Sequence, residues 1–300
     1  MHSIREQLPL IPQYSVSDSF IYHGDAFQVL KLLPAGIGRT SITSPPYWGL
    51  RDYDTSGQIG SEDDINIYVN NLVEVFRELR RVLTDDGTLW LNLGDSYTSG
   101  GRTWRAPDKK NPARAMSHRA PTPNGLKAKD LVGVPWRVAM ALQVDGWYLR
   151  SEIIWHKPNA LPESVKDRPT RVHETIFLLS KNEDYYYDYE AIREKGSNGQ
   201  KRNRRSVWSI YTEPFNGAHF ATFPPKLIEP CLLAGSQKND YVIDPFFGSG
   251  TTGLVANLHE RNFIGIELKS DYITIAKERL SGQRIIFDVI DPNERSLHLA

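Results

Sequence analysis

Ser44-Pro45-Pro46-Tyr47 sets a hydroxyl, a doubly rigid backbone and an aromatic ring at the end of a β run. Two successive prolines fix φ twice and remove two N–H donors, so the carbonyls of the corner are expected to stay free for a partner. A side-chain oxygen, a rigid carbonyl and a stacking ring together suit an sp² amino group on a planar ring. Two acceptors take its N–H bonds and draw density onto the nitrogen. Its lone pair then leaves the ring conjugation and can attack a methyl sulfonium in line, with no covalent enzyme intermediate. Taken alone, the string also reads as a proline-rich turn.

The second constellation is Tyr241-Val242-Ile243-Asp244-Pro245-Phe246-Phe247-Gly248-Ser249-Gly250-Thr251-Thr252-Gly253, a strand, a glycine turn and a helix start. Gly248, Gly250 and Gly253 spell the G-x-G-x-x-G pattern of a dinucleotide site. A pyrophosphate on that helix start would lie close to the Asp244 carboxylate and be repelled. A ligand carrying an amine and a sulfonium, such as S-adenosylmethionine, would be attracted. Glu267 closes the next strand roughly twenty positions later, where a βαβ unit delivers a carboxylate to ribose hydroxyls of either adenosine cofactor. Asp25, at the end of the first strand, either accepts from an adenine amino group or caps the following helix.

These residues need a frame, and the hydrophobic periodicity supplies one. Period-2 and period-3.6 runs alternate, which predicts a doubly wound, mainly parallel α/β sheet flanked by helices. Strands are expected at 19–25, 39–43, 88–95, 148–157, 174–181, 241–244 and 262–267. Helices are expected at 26–33, from Ser61 to Leu83, and at 131–144, 226–234, 251–259 and 272–280. The chain is 300 residues long and 40% hydrophobic, enough for one catalytic domain spanning 1–300. Lys+Arg and Asp+Glu are both 36, which excludes a partner held by bulk charge. Positive charge instead concentrates in a basic insertion at 100–129 and a second segment within 188–218, so polyanion contact is expected to be local. Tyr185, Tyr186, Tyr187 and Tyr189 precede the second segment and either flank nucleic acid or pack in the core.

Several chemistries drop out. The one cysteine, Cys231, excludes a disulfide framework, and its apolar helical setting reads as structural rather than nucleophilic. His173 and His219 lack ligand spacing, so no metal is expected. No run of about 18 apolar residues and no signal-peptide pattern occurs, so the expectation is a cytoplasmic chain without a membrane partner.

Together the two constellations resemble the DNA amino-group methyltransferases of the β arrangement, in which the S/D-P-P-Y/F motif precedes the F-x-G-x-G motif. The resemblance covers nearly the whole chain. It implies S-adenosylmethionine as cofactor, double-stranded DNA as substrate and extrusion of the target base into the pocket. Ser44, Pro45, Pro46 and Tyr47 then fall on the catalytic motif. Asp25, Asp244, Phe246, Phe247, Gly248, Gly250, Thr251 and Glu267 fall on cofactor segments, as do His219, Phe220, Thr222 and Phe223. Trp48, Trp155 and His156 fall on the target-base pocket, and Arg102, Arg105, Lys109, Lys110, Arg204 and Arg205 are expected to face DNA, the 188–218 segment being the target-recognition region. Serine at position 44 resembles the cytosine-N4 subgroup more than the adenine-N6 one. A cognate restriction endonuclease, a solitary role, a monomer and a homodimer all stay open. The rival readings are a nicotinamide-dependent oxidoreductase, a DNA-binding protein without catalysis, and a methyltransferase of RNA or protein.

Overall fold

The computed structural model describes residues 8, 10–50, 57–99, 120–197, 199–213 and 223–287. In chain order the elements are β1 (Tyr14–Val16), β2 (Ser19–His23), α1 (Ala26–Leu32), β3 (Gly38–Thr43), α2 (Ile65–Val82), β4 (Leu83–Leu93), α3 (Val134–Val144), β5 (Tyr148–His156) and β6 (His173–Ser180). They continue as β7 (Glu194–Lys195), β8 (Lys201–Arg202), β9 (Val207–Ser209), α4 (Pro225–Gly235), β10 (Tyr241–Asp244), α5 (Thr251–Leu258), β11 (Asn262–Glu267) and α6 (Ser270–Phe287).

Nine strands form one sheet in the order β1-β2-β11-β10-β3-β4-β6-β5-β9, and β7 and β8 make a separate two-stranded hairpin. From β2 to β4 every pairing is parallel. β6 is inserted antiparallel between β4 and β5, β1 is an antiparallel edge strand, and β9 joins the far edge parallel to β5. The parallel strands β3, β10 and β11 are largely buried; the last two carry apolar centres, whereas β3 buries Thr40, Ser41 and Thr43 instead.

Helix α2 shows how one face is covered. Ile65, Tyr68, Val69, Leu72, Val73, Phe76 and Leu79 recur at helical spacing and are buried. Its start is capped by Asp64, which accepts from the Asn66 N–H at 2.7 Å, so the cap falls later in the chain than the expected Ser61. The first core lies under α1, α2 and α3, the second under α4, α5 and α6. The short β1, β7, β8 and β9 were not expected, and β4 begins at Leu83 rather than Thr88, directly after the helix.

From β3 the chain crosses over to β4 on one side, and from β10 it crosses to β11 on the other. The two crossovers diverge between β3 and β10, and that reversal opens a crevice at the carboxyl ends of the strands. The proline corner follows β3 and the glycine turn follows β10, so the topology alone brings both constellations to one place.

Candidate active site

On the cofactor side, strand pairing sets the acids in a row. His23 lies opposite Glu267 in the β2–β11 register and Asp244 opposite Gly265 in β10–β11. Thr43 donates to Asp244 Oδ1 at 2.6 Å, tying the ends of β3 and β10 together, and the Phe246 N–H donates to the same oxygen at 3.1 Å. Asp244 is 1% exposed. Burial pushes its carboxyl up to about 6, against the pull of the Thr43, Thr252 and Phe246 donors.

Gly248 and Gly250 adopt φ of 53° and 82°, left-handed values that a side chain would oppose, and Gly250 caps α5. The turn is pinned from below: the Gly248 N–H donates to Glu267 Oε2 at 2.7 Å and the Lys269 N–H to Oε1 at 2.8 Å. Burial, with the Asp244 charge adding to it, raises the Glu267 carboxyl. Among the described residues both acids are held by hydroxyl and backbone donors rather than by a cation. A carboxylate offers about four lone-pair sites, more than these backbone donors use, and the remainder can accept from ribose hydroxyls. This negative lining fits a cationic adenosine ligand and opposes a pyrophosphate.

The other expected cofactor residues divide. Asp25 caps α1 by accepting from the Gln28 N–H at 3.0 Å, the second of its two readings. Phe247 is corrected from a ligand contact to an anchor of the turn. Its ring is buried and stacked on Phe263 at 5.3 Å. It fills a slot that Gly253 and Gly265 leave open, where an added Cβ would sit 2.6 and 2.4 Å from the ring. Phe246 keeps to the other face, edge-on to Phe76 at 6.3 Å. Thr251 is buried and receives a hydrogen bond from Arg279 of α6, which also bonds the Ser249 carbonyl at 2.7 Å. Phe223 packs against the second core, and His219, Phe220 and Thr222 lie outside the described residues.

On the target side, a polar cluster surrounds Ser44. Its hydroxyl donates to Tyr47 Oη at 3.1 Å, and Tyr47 donates to Glu174 Oε2 at 2.8 Å. Asn92 Nδ2 lies 2.9 Å from both Tyr47 Oη and Glu174 Oε2 and 3.4 Å from Ser44 Oγ. Lys157 forms an ion pair with Glu174 Oε1. Burial raises the Glu174 carboxyl, but the Lys157 ammonium and the donors from Asn92 and Tyr47 outweigh it and hold the group below its ordinary value. Burial and the Glu174 charge hold Tyr47 well above its ordinary value, so the phenol stays protonated.

Asn92 and Glu174 were missed, whereas Lys157 lies in the 153–158 stretch that resembles the lining of the target-base pocket. The available signal was an amide in the apolar run of β4 and an acid just ahead of the apolar Ile176–Leu179 run of β6, both where an unpaired polar group is costly. The expectation of free corner carbonyls also needs correction: Tyr68 donates to the Pro46 carbonyl at 3.0 Å, while no described group donates to that of Pro45.

Trp48, Trp155 and His156, expected at the target-base pocket, are each engaged by the protein itself. Trp48 is buried in the first core and donates to the Glu62 carbonyl at 2.8 Å. Trp155 is 2% exposed, donates to the Ile210 carbonyl at 2.9 Å and carries Lys157 over its ring. His156 points to the opposite face of β5 and bonds Ser209 at 3.0 Å. Cys231 is buried with its thiol pushed up by burial, as a structural cysteine should be.

Gly94 makes room for the motif tyrosine, since an added Cβ would sit 2.5 Å from the Tyr47 ring. Gly94→Ala is therefore expected to displace Tyr47, lowering stability by about 1–3 kcal/mol and slowing turnover. A thermal melt beside a single-turnover rate checks this, and an unchanged rate would show that the ring position is unimportant.

Of the basic residues, Arg204 lies over the Trp208 ring at 4.6 Å and is folded onto the protein. Arg205 is 69% exposed and shares Glu194 with Arg202. Arg102, Arg105, Lys109 and Lys110 lie outside the described residues.

A doubly wound sheet with a glycine turn, two acids and an acceptor corner at its switch point defines an S-adenosylmethionine-dependent methyltransferase. Residues 39–278 match the family model for N6 and N4 DNA methylases, and the chain belongs to that family as a Type II DNA methyltransferase. Type II methyltransferase M.Cfr9I of Citrobacter freundii is 59% identical over 278 residues, covering 93% of each chain. Type II methyltransferase M.SmaI of Serratia marcescens is 60% identical over 263 residues, 87% of this chain and 90% of the relative. Among solved structures, the PvuII DNA methyltransferase, titled cytosine-N4-specific, superposes with a TM-score of 0.70 at 23% identity over 95% of this chain and 91% of its own. A DNA modification methylase of Thermus thermophilus complexed with S-adenosylmethionine gives 0.63 at 26% identity over 88% and 94%. The family excludes the oxidoreductase reading of the glycine string.

Proposed function

We propose that this chain methylates the exocyclic N4 of cytosine in double-stranded DNA, and that Ser44 and the Pro45 carbonyl accept from that amino group. The observation that carries the reading is Ser44 itself: a hydroxyl, not a carboxylate, heads the motif, with its proton turned away toward Tyr47. The PvuII enzyme, which is described as cytosine-N4-specific, supports the same base.

When bound, S-adenosylmethionine supplies an electrophilic methyl group on a sulfonium. Asp244 would hold the positive end of the cofactor, Glu267 would accept from its ribose and the Gly248–Gly250 turn would let the backbone approach. Ser44 Oγ and the Pro45 carbonyl accept the two N–H bonds of the extruded base, so the nitrogen lone pair turns toward the methyl carbon. With its lone pair so held, the nitrogen would take the methyl group as the C–S electrons stay on sulfur, and the extra N–H proton would pass to water. The Type II relatives support pairing with a restriction endonuclease that reads the same site.

The test is incubation with S-adenosylmethionine carrying a deuterated methyl group and DNA from a methylation-deficient host, followed by digestion and nucleoside mass spectrometry. Labelled N4-methyl-deoxycytidine is expected. Labelled N6-methyl-deoxyadenosine would overturn the base assignment while keeping the chemistry.

Arg205 is the DNA contact proposed on the described surface. Arg205→Gln should lower the slope of log affinity against log salt by about one, whereas Arg204→Gln should leave the slope in place because its guanidinium is spent on Trp208. Equal slopes for wild type and Arg205→Gln would remove Arg205 from the footprint.

A further inference from the structure

We infer that Glu174, paired with Lys157, is a positioning residue that sets the direction of the hydrogen bonds running through Tyr47 to Ser44, so that Ser44 presents only lone pairs to the target amino group. The inference rests on the placement of that amino group at Ser44.

The argument starts at the charged end. A carboxylate only accepts, so the Tyr47 hydroxyl, 2.8 Å from Glu174 Oε2, must donate to it. Its single proton spent, Tyr47 Oη can only accept from Ser44 and Asn92. The Ser44 proton therefore points to Tyr47, and the lone pairs of Oγ are left for the pocket. A serine hydroxyl is otherwise free to rotate and would offer its own proton to an amino group that has only protons to give. The direction of the chain thus decides whether Ser44 attracts or repels the substrate nitrogen.

Asn92 points the same way. Its Nδ2 faces Tyr47 Oη and Glu174 Oε2, two groups that need donors, so the amide orientation is dictated by the same carboxylate. Lys157 completes the device by occupying Oε1, and its ammonium rests on the Trp155 ring at 4.1 Å. No part of this depends on charge in contact with the substrate. Glu174 acts only through Tyr47 and Asn92.

The test exploits the difference between direction and charge. In Glu174→Gln the Lys157 ammonium demands the carbonyl of the introduced amide, which turns its NH₂ on Tyr47 and reverses the chain. Single-turnover methyl transfer should fall about 100-fold with the cofactor Kd within about two-fold of wild type. In Glu174→Gln/Lys157→Met the carbonyl is free to face Tyr47 and Asn92, so roughly ten-fold or more of the loss should return. In a Tyr47→Phe background the chain is already cut, and Glu174→Gln should cost less than about three-fold more.

Three results would overturn the inference: a wild-type rate in Glu174→Gln, a folded double variant as slow as the single, or an equal cost of Glu174→Gln with and without the tyrosine hydroxyl. Ser44→Ala in the same panel separates the two readings. If Ser44→Ala retains the wild-type rate, the placement of the amino group fails, and the inference with it. If Ser44→Ala is slow and Glu174→Gln is not, only the role of Glu174 fails.

Discussion

Ser44→Ala should lower the single-turnover rate of methyl transfer by a factor on the order of 10²–10³ and leave cofactor affinity unchanged. The magnitude is that of removing one preorganised hydrogen-bonding group from a reacting centre. The position of the effect follows from the geometry. Ser44 Oγ touches Tyr47 and Asn92 on the target side of the crevice, whereas the Gly248–Gly250 turn and both buried acids belong to the cofactor side. Removing the hydroxyl leaves Tyr47 anchored by Glu174 and Asn92, so the pocket should keep its shape. The expected pattern is a loss in the chemical step with DNA and cofactor binding near wild type. Collapse of cofactor affinity with normal turnover of the bound complex would place Ser44 on the wrong side of the crevice.

How much of this site is readable from the chain depends on how local each part is. The glycine turn, Asp244 and Glu267 belong to one βαβ unit, and their spacing carries the fold class and the cofactor together. The Ser44 corner is equally compact. Glu174 is hidden because it reaches Tyr47 from 127 residues away, by way of β6 inserted antiparallel between β4 and β5, and no local pattern announces that insertion. Phe247 misleads for a related reason. An aromatic in a glycine turn reads as a ligand contact, yet the slot that swallows its ring is built by Gly253 and Gly265, the latter on a different strand. Tryptophans beside a motif suggest stacking on a base, but Trp48 and Trp155 each spend the indole N–H on a carbonyl inside the core, as a buried indole must. The edge strands β1 and β9 are three residues each, too short for a period to show.

The second large effect is expected at Asp244, where function and stability should move in opposite directions. Asp244→Asn keeps the shape and an oxygen to accept from Thr43 and Phe246, and removes only the charge. With the positive end of the cofactor assigned to this carboxylate, the loss of one charge-assisted contact should weaken cofactor binding about 10- to 100-fold. The free protein should instead gain. Its carboxyl is raised from 3.8 to about 6 by burial, so the native state holds its proton more tightly than the unfolded chain does. A raised acid costs nothing below the unfolded value, and the cost grows as pH climbs from about 4 through about 6, levelling off above that. The shift corresponds to about 3 kcal/mol at neutral pH. The difference in stability between variant and wild type should therefore open between about pH 4 and about 6.5 and then stay constant. Over the same window the wild-type cofactor affinity should rise with ionisation of Asp244, and the variant's should stay flat. Denaturant titrations and cofactor binding across this pH series decide the point. A variant that binds the cofactor like wild type would take Asp244 out of the site, and a stability difference that does not change with pH would show that the carboxylate is not titrating where its burial places it.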